Sequence, residues 1–595
     1  MSTEEQKIFP IDLVIESMKD SGYKDAAHAV AELIDNSIQA GLEMDKPVDV
    51  QLICVEGAWN QGSRIKEIAV YDDACGMDVG VLHKALAFGA GTRRGAVSGI
   101  GKFGMGLPNA SISQADKVAV YSWQKGVCYR STLDLEEIRA TQNEIIPMPV
   151  RAEIPEAWRK RIKGEIGESG TLVVWSNLDR LKWKRHKAFF SNTEFIVGRM
   201  YRYFIKDDAV SIRMAAYPEK EGDSHHFEEY VLANDPLYLM SGTVAPDPFK
   251  DKPAFILYSE QKYLIKHNGI ESEVRFKFSH GTREFRRNFN NEYPGKSYGN
   301  PGDTPFGKHA GKNLGVSILR GGRELELNNA WDIKYDPVER WWGAEISFDA
   351  ELDDIFGVTN NKQAATAIKQ LDLKDLAAEE GMTPSEVEQY LKDENDPRIH
   401  ICKISEIVWK NLRAMREELK NQTQGARTGS EAGRTDAAEA AATAAAKKEG
   451  IEGQSDKKSK ELSTKEKESE MREHLTQGGM VDEDDIEGVI AKALADDAKF
   501  IIGEASMPSS SVIFDVTQPA GKLSVTLNTA HPFYKELMKP LLEKDNESAD
   551  VIKLLFASWA LMEDQLQSDE EKDEILEQRM NWGLKAKNML KEYMS

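Results

Sequence analysis

The sequence predicts a multidomain α+β protein. Residues 25–41, "DAAHAVAELIDNSIQAG", place apolar side chains at helical spacing, and the next segment, "VDVQLICVEGAWNQGSRIKEIAVYDDACGM", alternates apolar and polar residues in two runs about a glycine-containing loop. With 595 residues the chain exceeds one hydrophobic core, and at about 150 residues per domain it corresponds to roughly two to four domains. Apolar residues at 41% and charged residues at 30% suit a folded chain, and a formal charge of −22 argues against a uniformly basic surface while leaving room for a local basic patch. The four cysteines, Cys54, Cys75, Cys128 and Cys402, are too scattered for a zinc ribbon or a disulfide framework, so a reducing, cytoplasmic setting is expected. The N-terminal stretch "MSTEEQKIFPIDLV" has neither a basic leader nor an apolar run, and no segment reaches the roughly 18 apolar residues of a membrane span.

In the first helix, Val30, Leu33, Ile34 and Ser37 or Ile38 share one face, and Gly41 is a plausible stop. Glu32 and Asn36, at i and i+4, lie one above the other on the other face; a solvated polar face and a carboxylate–amide pair aimed into one cavity both fit this spacing. Two strands follow, the first with Val48, Val50 and Leu52, the second with Ile65 and Ile68 and ending at Asp72. Asp72 before a tight "ACG" turn is compatible with turn chemistry or with a buried carboxylate that accepts from a base's amino group.

The stretch "GIGKFGMGLPNAS" sets Gly99, Gly101, Gly104 and Gly106 close together. Gly99, Gly101 and Gly104 satisfy G-x-G-x-x-G, but the preceding "GAGTRRGAVS" is loop-like where a dinucleotide fold needs a strand. A P-loop fails as well, with Ala96 where its first glycine belongs and Phe103 where a hydroxyl belongs. A flexible surface loop or an anion cradle remains, the latter because glycines let successive N–H groups converge and a following helix start adds its positive end. Further on, "SGTLVVWSNL" reads as a strand entered at Thr171.

Taken in order, "ELIDNS", "DDACGM", "GIGKFGMGL" and "SGT" resemble the four boxes of the GHKL superfamily of ATP-binding proteins, which includes DNA gyrase, heat-shock-ninety chaperones, histidine kinases, MutL and the MORC ATPases. The likeness covers roughly residues 8–180, and "GKFGMGLPNASISQADKVAVYS" extends it past the glycines. It implies a GHKL (Bergerat) α/β sandwich binding ATP with Mg²⁺. Glu32 would be the general base, Asn36 the magnesium ligand, and Asp72 the adenine acceptor aided by Thr171. Gly76 and Met77 of the second box, and Gly101, Lys102, Phe103, Gly104, Met105, Gly106 and Leu107 of the third, would complete the ATP site as its lid. One departure stands out: Ala74 replaces a family glycine, which at a positive φ would cost on the order of 1–2 kcal/mol, and Asp73 adds a charge.

Only about thirty residues precede "ELIDNS", too few for the phosphoacceptor helix of a histidine kinase, so His28 reads as a packing residue. After residue 190 the runs "AFILYS" and "LGVSILRGGRELEL", the latter a hairpin about Gly321-Gly322, imply a second domain. The resemblance suggests an S5-like transducer domain here, with Lys362 in "FGVTNNKQAATAIKQ" as the residue sent back to the γ-phosphate; an ordinary lysine at a helix start fits the same residues. Trp341 and Trp342 read as core anchors. Residues 275–312 hold Arg275, Lys277, Arg283, Arg286, Arg287, Lys296, Lys308 and Lys312 among aromatics, a pattern that suits nucleic-acid backbone, a peptide or an intersubunit contact.

Residues from 421 to about 475 lack aromatics and nearly all large apolar residues, as expected of a linker, part of it a solvated helix. Beyond it, "SSSVIFDVTQPAGKLSVTLN" reads as a β-hairpin and "VIKLLFASWALMEDQL" as a strongly apolar helix. The expected division is an ATP-binding domain at 1–185, a transducer with a helical end at 186–420, a charged low-complexity linker at 421–480, and a small α+β dimerisation or partner-docking domain at 481–595. Two functions compete: a slow ATPase working as a homodimeric clamp on DNA (MORC-like) or on protein clients (heat-shock-ninety-like), and a nucleotide-gated scaffold with negligible turnover.

Overall fold

The computed structural model describes residues 11–20, 23–60, 62–89, 106–142, 145–220, 224–282, 285–286, 289–333, 337–359, 362–423, 437–478, 490, 499–507, 511–544, 546–566 and 568–594. The first 230 residues hold helices α1 (Ile11–Asp20), α2 (Ala26–Glu43), α3 (Val79–Ala85), α4 (Gly106–Ile112), α5 (Leu135–Thr141), α6 (Glu156–Arg161), α7 (His186–Met200) and α8 (Arg202–Lys206). Their strands are β1 (Val48–Trp59), β2 (Gly62–Asp72), β3 (Ala115–Gln124), β4 (Val127–Asp134), β5 (Val150–Arg151), β6 (Gly170–Leu178), β7 (Val210–Pro218) and β8 (Phe227–Tyr230). They form one sheet in the order β5-β4-β3-β6-β2-β1-β7-β8, antiparallel except where β1 runs parallel to β7.

Asp25, in an extended conformation, starts α2 by accepting the His28 N–H at 3.1 Å, a cap of about 1 kcal/mol. His28 closes the same turn through Nδ1, 2.8 Å from Asp25 Oδ1, which makes it a local partner of the cap. The helix runs two residues past the expected stop at Gly41. Its apolar face, with Val30, Leu33, Ile34 and Ile38, joins Leu52, Cys54, Val70, Val173 and Trp175 in one core. Ile53, Val55, Ala69, Tyr71 and Trp123 enter a second core with Trp158 and Ile162 of α6 and its following turn. Both faces of the sheet centre are therefore covered, which accounts for the unbroken "LICV" run of β1.

A second sheet combines β9 (Phe255–His267), β10 (Ile270–Gly281), β11 (Val316–Arg320), β12 (Arg323–Asn328) and β13 (Trp342–Phe348) in the order β12-β11-β13-β10-β9. The hairpin about Gly321-Gly322 is β11–β12, as the sequence suggests, and Trp331, Trp341 and Trp342 are buried in its core beside the long helix Arg398–Thr423. The helical pattern expected after Lys362 is instead a turn: Lys362 has φ 52°, Thr359 N–H bonds Ala364 O at 3.1 Å, and Val358 bridges to Ala365. The next helix begins only at Leu373, capped by Asp372.

The basic stretch is less free than its sequence suggests. Arg286 is buried, donates to Leu419 O and lies over Trp341, while Arg275 pairs with Asp349 at 3.0 Å. Lys296, Lys308 and Lys312 are exposed, and Arg283 and Arg287 lie outside the described residues.

A third sheet, β14 (Phe500–Ala505), β15 (Phe514–Thr517) and β16 (Leu523–Asn528), has the order β14-β16-β15 and contains the expected hairpin. The helix Asn546–Gln565 packs on it through Phe556, Ala557 and Ala560. From 437 onward the expected linker differs from the structure, which has helices Ala437–Glu449, Gln454–Glu461 and Thr464–Gly478. Ala442 and Ala446 belong to the same core, and Ser455 donates its N–H and hydroxyl to the buried carboxylate of Asp564 at 2.7 and 2.8 Å. Alanine lacks the bulk that marks a core in a sequence, yet it lets a helix approach a sheet closely. No described helix is long and apolar enough to cross a membrane.

Candidate functional site

The site begins at the end of β2. Pairing of β1 with β2 and of β2 with β6 sets Asp72 opposite both Val50 and Thr171. Its buried carboxylate accepts the Ser37 hydroxyl at 2.8 Å and the Ala74 N–H at 3.1 Å. Burial pushes the Asp72 carboxyl up to about 6, against the opposing pull of those donors. Thr171 Oγ1 lies 3.2 Å from Ser122 Oγ, which also accepts the Met77 N–H at 2.8 Å. A strand-end carboxylate, two hydroxyls and a turn thus share one end of the sheet.

The second-box turn is less strained than its sequence implies. Ala74 does not take a positive φ, is fully buried and turns its N–H onto Asp72. Gly76 is the left-handed residue, at φ 64°, and a Cβ built there would fall 2.2 Å from Trp123 O. Asp73 accepts the Asp49 N–H at 2.9 Å and so anchors the start of β1.

One turn of α2 before Ser37 lies Glu32. The helix separates the expected pair by environment, with Glu32 buried and Asn36 exposed. Glu32 Oε1 is 3.1 Å from Lys362 Nζ, whereas its buried Oε2 has no hydrogen-bond partner among the described residues. α4 packs directly on this carboxylate: a Cβ built on Gly106 would lie 1.9 Å from Glu32 Oε1, so glycine is required there by close approach. Leu107 packs against the core below. The third-box residues Gly101, Lys102, Phe103, Gly104 and Met105 lie outside the described residues.

Lys362 arrives from the segment after the second sheet and is buried. Its Nζ lies 3.1 Å from both Glu32 Oε1 and Asp35 Oδ2. Asp35 also accepts Arg323 Nε at 3.1 Å and the Tyr201 hydroxyl at 2.7 Å, and Arg323 Nη1 donates to Lys362 O at 2.6 Å. Burial alone would raise both carboxyls. For Asp35 the cations Arg323 and Lys362, with Tyr201, outweigh it and hold the group below its ordinary range. For Glu32 burial wins over Lys362, and the carboxyl is raised. The two acids are therefore driven apart, Asp35 toward a permanent anion and Glu32 toward a group able to take and hold a proton.

Asp35, Tyr201 and Arg323 are the members that sequence reasoning missed. Asp35 lies between Glu32 and Asn36 in the sequence, and an aspartate inside a helix core is itself a signal that a cation must reach it. Arg323 follows directly on the Gly321-Gly322 turn, and the reach of that hairpin tip toward α2 becomes visible only in three dimensions.

The α2–sheet layering, the Asp72 floor and the Glu32 carboxylate of this mixed α+β chain all fall within a segment similar to GHKL-type ATPase domains. Residues 23–164 match the family described as "Histidine kinase-, DNA gyrase B-, and HSP90-like ATPase". No curated protein matches the sequence. Among solved structures, the chain is similar to one described as the N-terminal domain of a DNA repair protein, at 14% identity and a TM-score of 0.35, covering 64% of this chain and 99% of that one. It is also similar to the B-subunit of DNA gyrase from Myxococcus xanthus, at 10% identity and a TM-score of 0.31, covering 57% of this chain and 85% of that one.

The donor set suits a magnesium nucleotide. Asp72 offers a buried acceptor between two hydroxyl-bearing residues, Asn36 an exposed amide oxygen on the same helix, and Glu32 an unpartnered buried oxygen where a water proton could go.

Proposed function

We propose that the chain is a Mg-ATP-dependent ATPase that works as a nucleotide-gated dimeric clamp. The observation that carries this reading is the Glu32 carboxylate: buried, raised in proton affinity, tied through one oxygen to a lysine beyond the second sheet, with its other oxygen unpartnered among the described residues.

In this reading Asp72 accepts from the adenine amino group, with Thr171 beside it, and the Gly76–Met77 turn closes the base end of the site. Asn36 contributes its amide oxygen to Mg²⁺, and the lid from Gly101 to Leu107 turns its N–H groups to the phosphates. The metal, when bound, neutralises charge on the triphosphate oxygens. Glu32 orients a water and receives its proton at Oε2, a task matched to a carboxyl raised by burial. Lys362 keeps the neighbouring charge balanced and serves as the mobile cation. The homodimer is joined through the C-terminal helices, where Leu555, Met589 and Tyr593 are exposed, and the cargo is DNA or a protein client.

A second reading, a nucleotide-gated scaffold with negligible turnover, is favoured by the same lysine: with Nζ equidistant from Glu32 and Asp35, it holds the base in an ion pair. Glu32→Ala separates the two. For an ATPase clamp, hydrolysis is lost and ATP traps a closed dimer, visible as an earlier-eluting species on size exclusion. For a scaffold, neither the rate nor the assembly changes. Identifying what copurifies with the trapped form, nucleic acid or protein, assigns the cargo.

A further inference from the structure

We propose that Glu56, His186 and His226 form a divalent transition-metal site, best suited to Zn²⁺, toward the end of β1 away from the nucleotide residues. Glu56 lies six residues along β1 from Val50, the partner of Asp72, a separation of about 20 Å at strand rise. The two sites therefore share no side chain.

Three chain segments converge here. The β1–β2 register shifts between Val55 and Glu56, and such an irregularity re-aims the side chains beside it. His186 is the first residue of α7, whose preceding residue, Arg185, makes no side-chain cap. His226 ends the connection that leads into β8. Glu56 Oε1 accepts the His186 N–H at 3.0 Å and so caps α7, which leaves Oε2 for the imidazoles.

That second oxygen draws three groups together: His186 Nδ1 lies 2.9 Å away, His226 Nε2 3.2 Å and Ser63 Oγ 3.1 Å. A metal ion suits this arrangement, because both ring nitrogens can present lone pairs to it and the carboxylate oxygen supplies a third. The three ligand atoms all lie within 4.8 Å of one another. Adjacent ligands of a tetrahedral zinc sit about 3.3 Å apart, given bonds of about 2.0–2.1 Å, so shifts of a few tenths of an ångström to about 1.5 Å bring the set into place. Two imidazoles and one carboxylate are a donor set that zinc accepts, with the fourth position left to water. His226 supplies that opening, being 38% exposed where Glu56 is 4% exposed.

The surroundings suit a fixed ligand set. His186 packs against Phe190 and Phe227 at centroid distances of 6.4 and 5.6 Å, and the two histidine rings meet edge to face at 4.8 Å. This apolar wall limits water to one side, and Ser63 Oγ holds the carboxylate from the other. The role assigned is structural: one ion ties the β7–β8 connection to β1 and to the start of α7.

The full chain, stripped with a chelator, is given Zn²⁺ alone and its bound metal measured by elemental analysis. In parallel it receives Co²⁺ alone, whose visible absorption reports low-coordinate nitrogen and oxygen ligation. One equivalent of zinc and an intense cobalt band are expected. His226→Ala should weaken zinc retention at least about tenfold, whereas His225→Ala should not, since that ring lies 3.1 Å from Glu228. The proposal is overturned if the unaltered chain holds no more zinc than His226→Ala, if His225→Ala loses as much, or if cobalt gives only the weak band of the hexahydrated ion. The cobalt spectrum needs no variant, so misfolding of a mutant cannot rescue the claim.

Discussion

Asp72→Asn should make the protein more stable and, at the same time, unable to bind ATP. Burial holds this carboxyl at about 6 against an ordinary value of 3.8, so at pH 7.5 the folded chain carries a charge it disfavours. The gap is roughly two pH units, equivalent to about 3 kcal/mol. Between those values the folded state keeps a proton that the unfolded chain has released. The stability this group contributes is therefore present below about pH 4 and lost as pH rises through about 6. An amide removes the charge and preserves the contacts: its oxygen still accepts the Ala74 N–H, and its NH₂ donates to Ser37 Oγ, whose own proton is free to stay on Leu33 O at 3.1 Å. At about 2–4 °C per kcal/mol for a unit of this size, the first melting transition should rise roughly 5–10 °C at pH 7.5. Scanning calorimetry without nucleotide reads the gain, and titration calorimetry with ATP reads the lost binding. The advantage should shrink to about a third near pH 4.5 and toward zero near pH 3. A lower melting point for Asp72→Asn at pH 7.5, or a difference independent of pH, would refute the reasoning.

Two further substitutions probe the other end of the site. Lys362→Ala should leave ATP binding nearly intact and lower turnover by about tenfold or more in a steady-state phosphate-release assay; unchanged turnover removes the lysine from the mechanism. Gly106→Ala forces a methyl to within 1.9 Å of Glu32 Oε1 and must displace the carboxylate. Hydrolysis should fall on the order of 10²-fold, while Gly167→Ala, whose nearest neighbour is 3.9 Å away, serves as a control that changes nothing.

Much of the nucleotide domain was legible because its signals are local. Helix spacing located α2, alternation located β1 and β2, and Asp72 and Thr171, far apart in the chain, meet because β2 and β6 are neighbours. Other features failed for a common reason: they depend on distant segments. Asp35 takes its meaning from Arg323 and Tyr201, 288 and 166 residues away. Ala74 looked strained only when judged by a family pattern; the left-handed angle belongs to Gly76. The stretch after 437 was dismissed for want of large apolar residues, whereas Ala442 and Ala446 enter a core whose bulk comes from Phe500, Phe514 and Phe556. The basic run at 275–312 suggests surface in the sequence, although Arg286 is buried over the Trp341 ring.

Lys362 bridging Glu32 and Asp35 also has a mechanical meaning. The loop that bears it hangs from the second sheet through Arg323, which grips Asp35 and the Lys362 carbonyl together. A displacement of that hairpin would therefore reach the charges around two acids some three hundred residues upstream directly, through side chains already in contact.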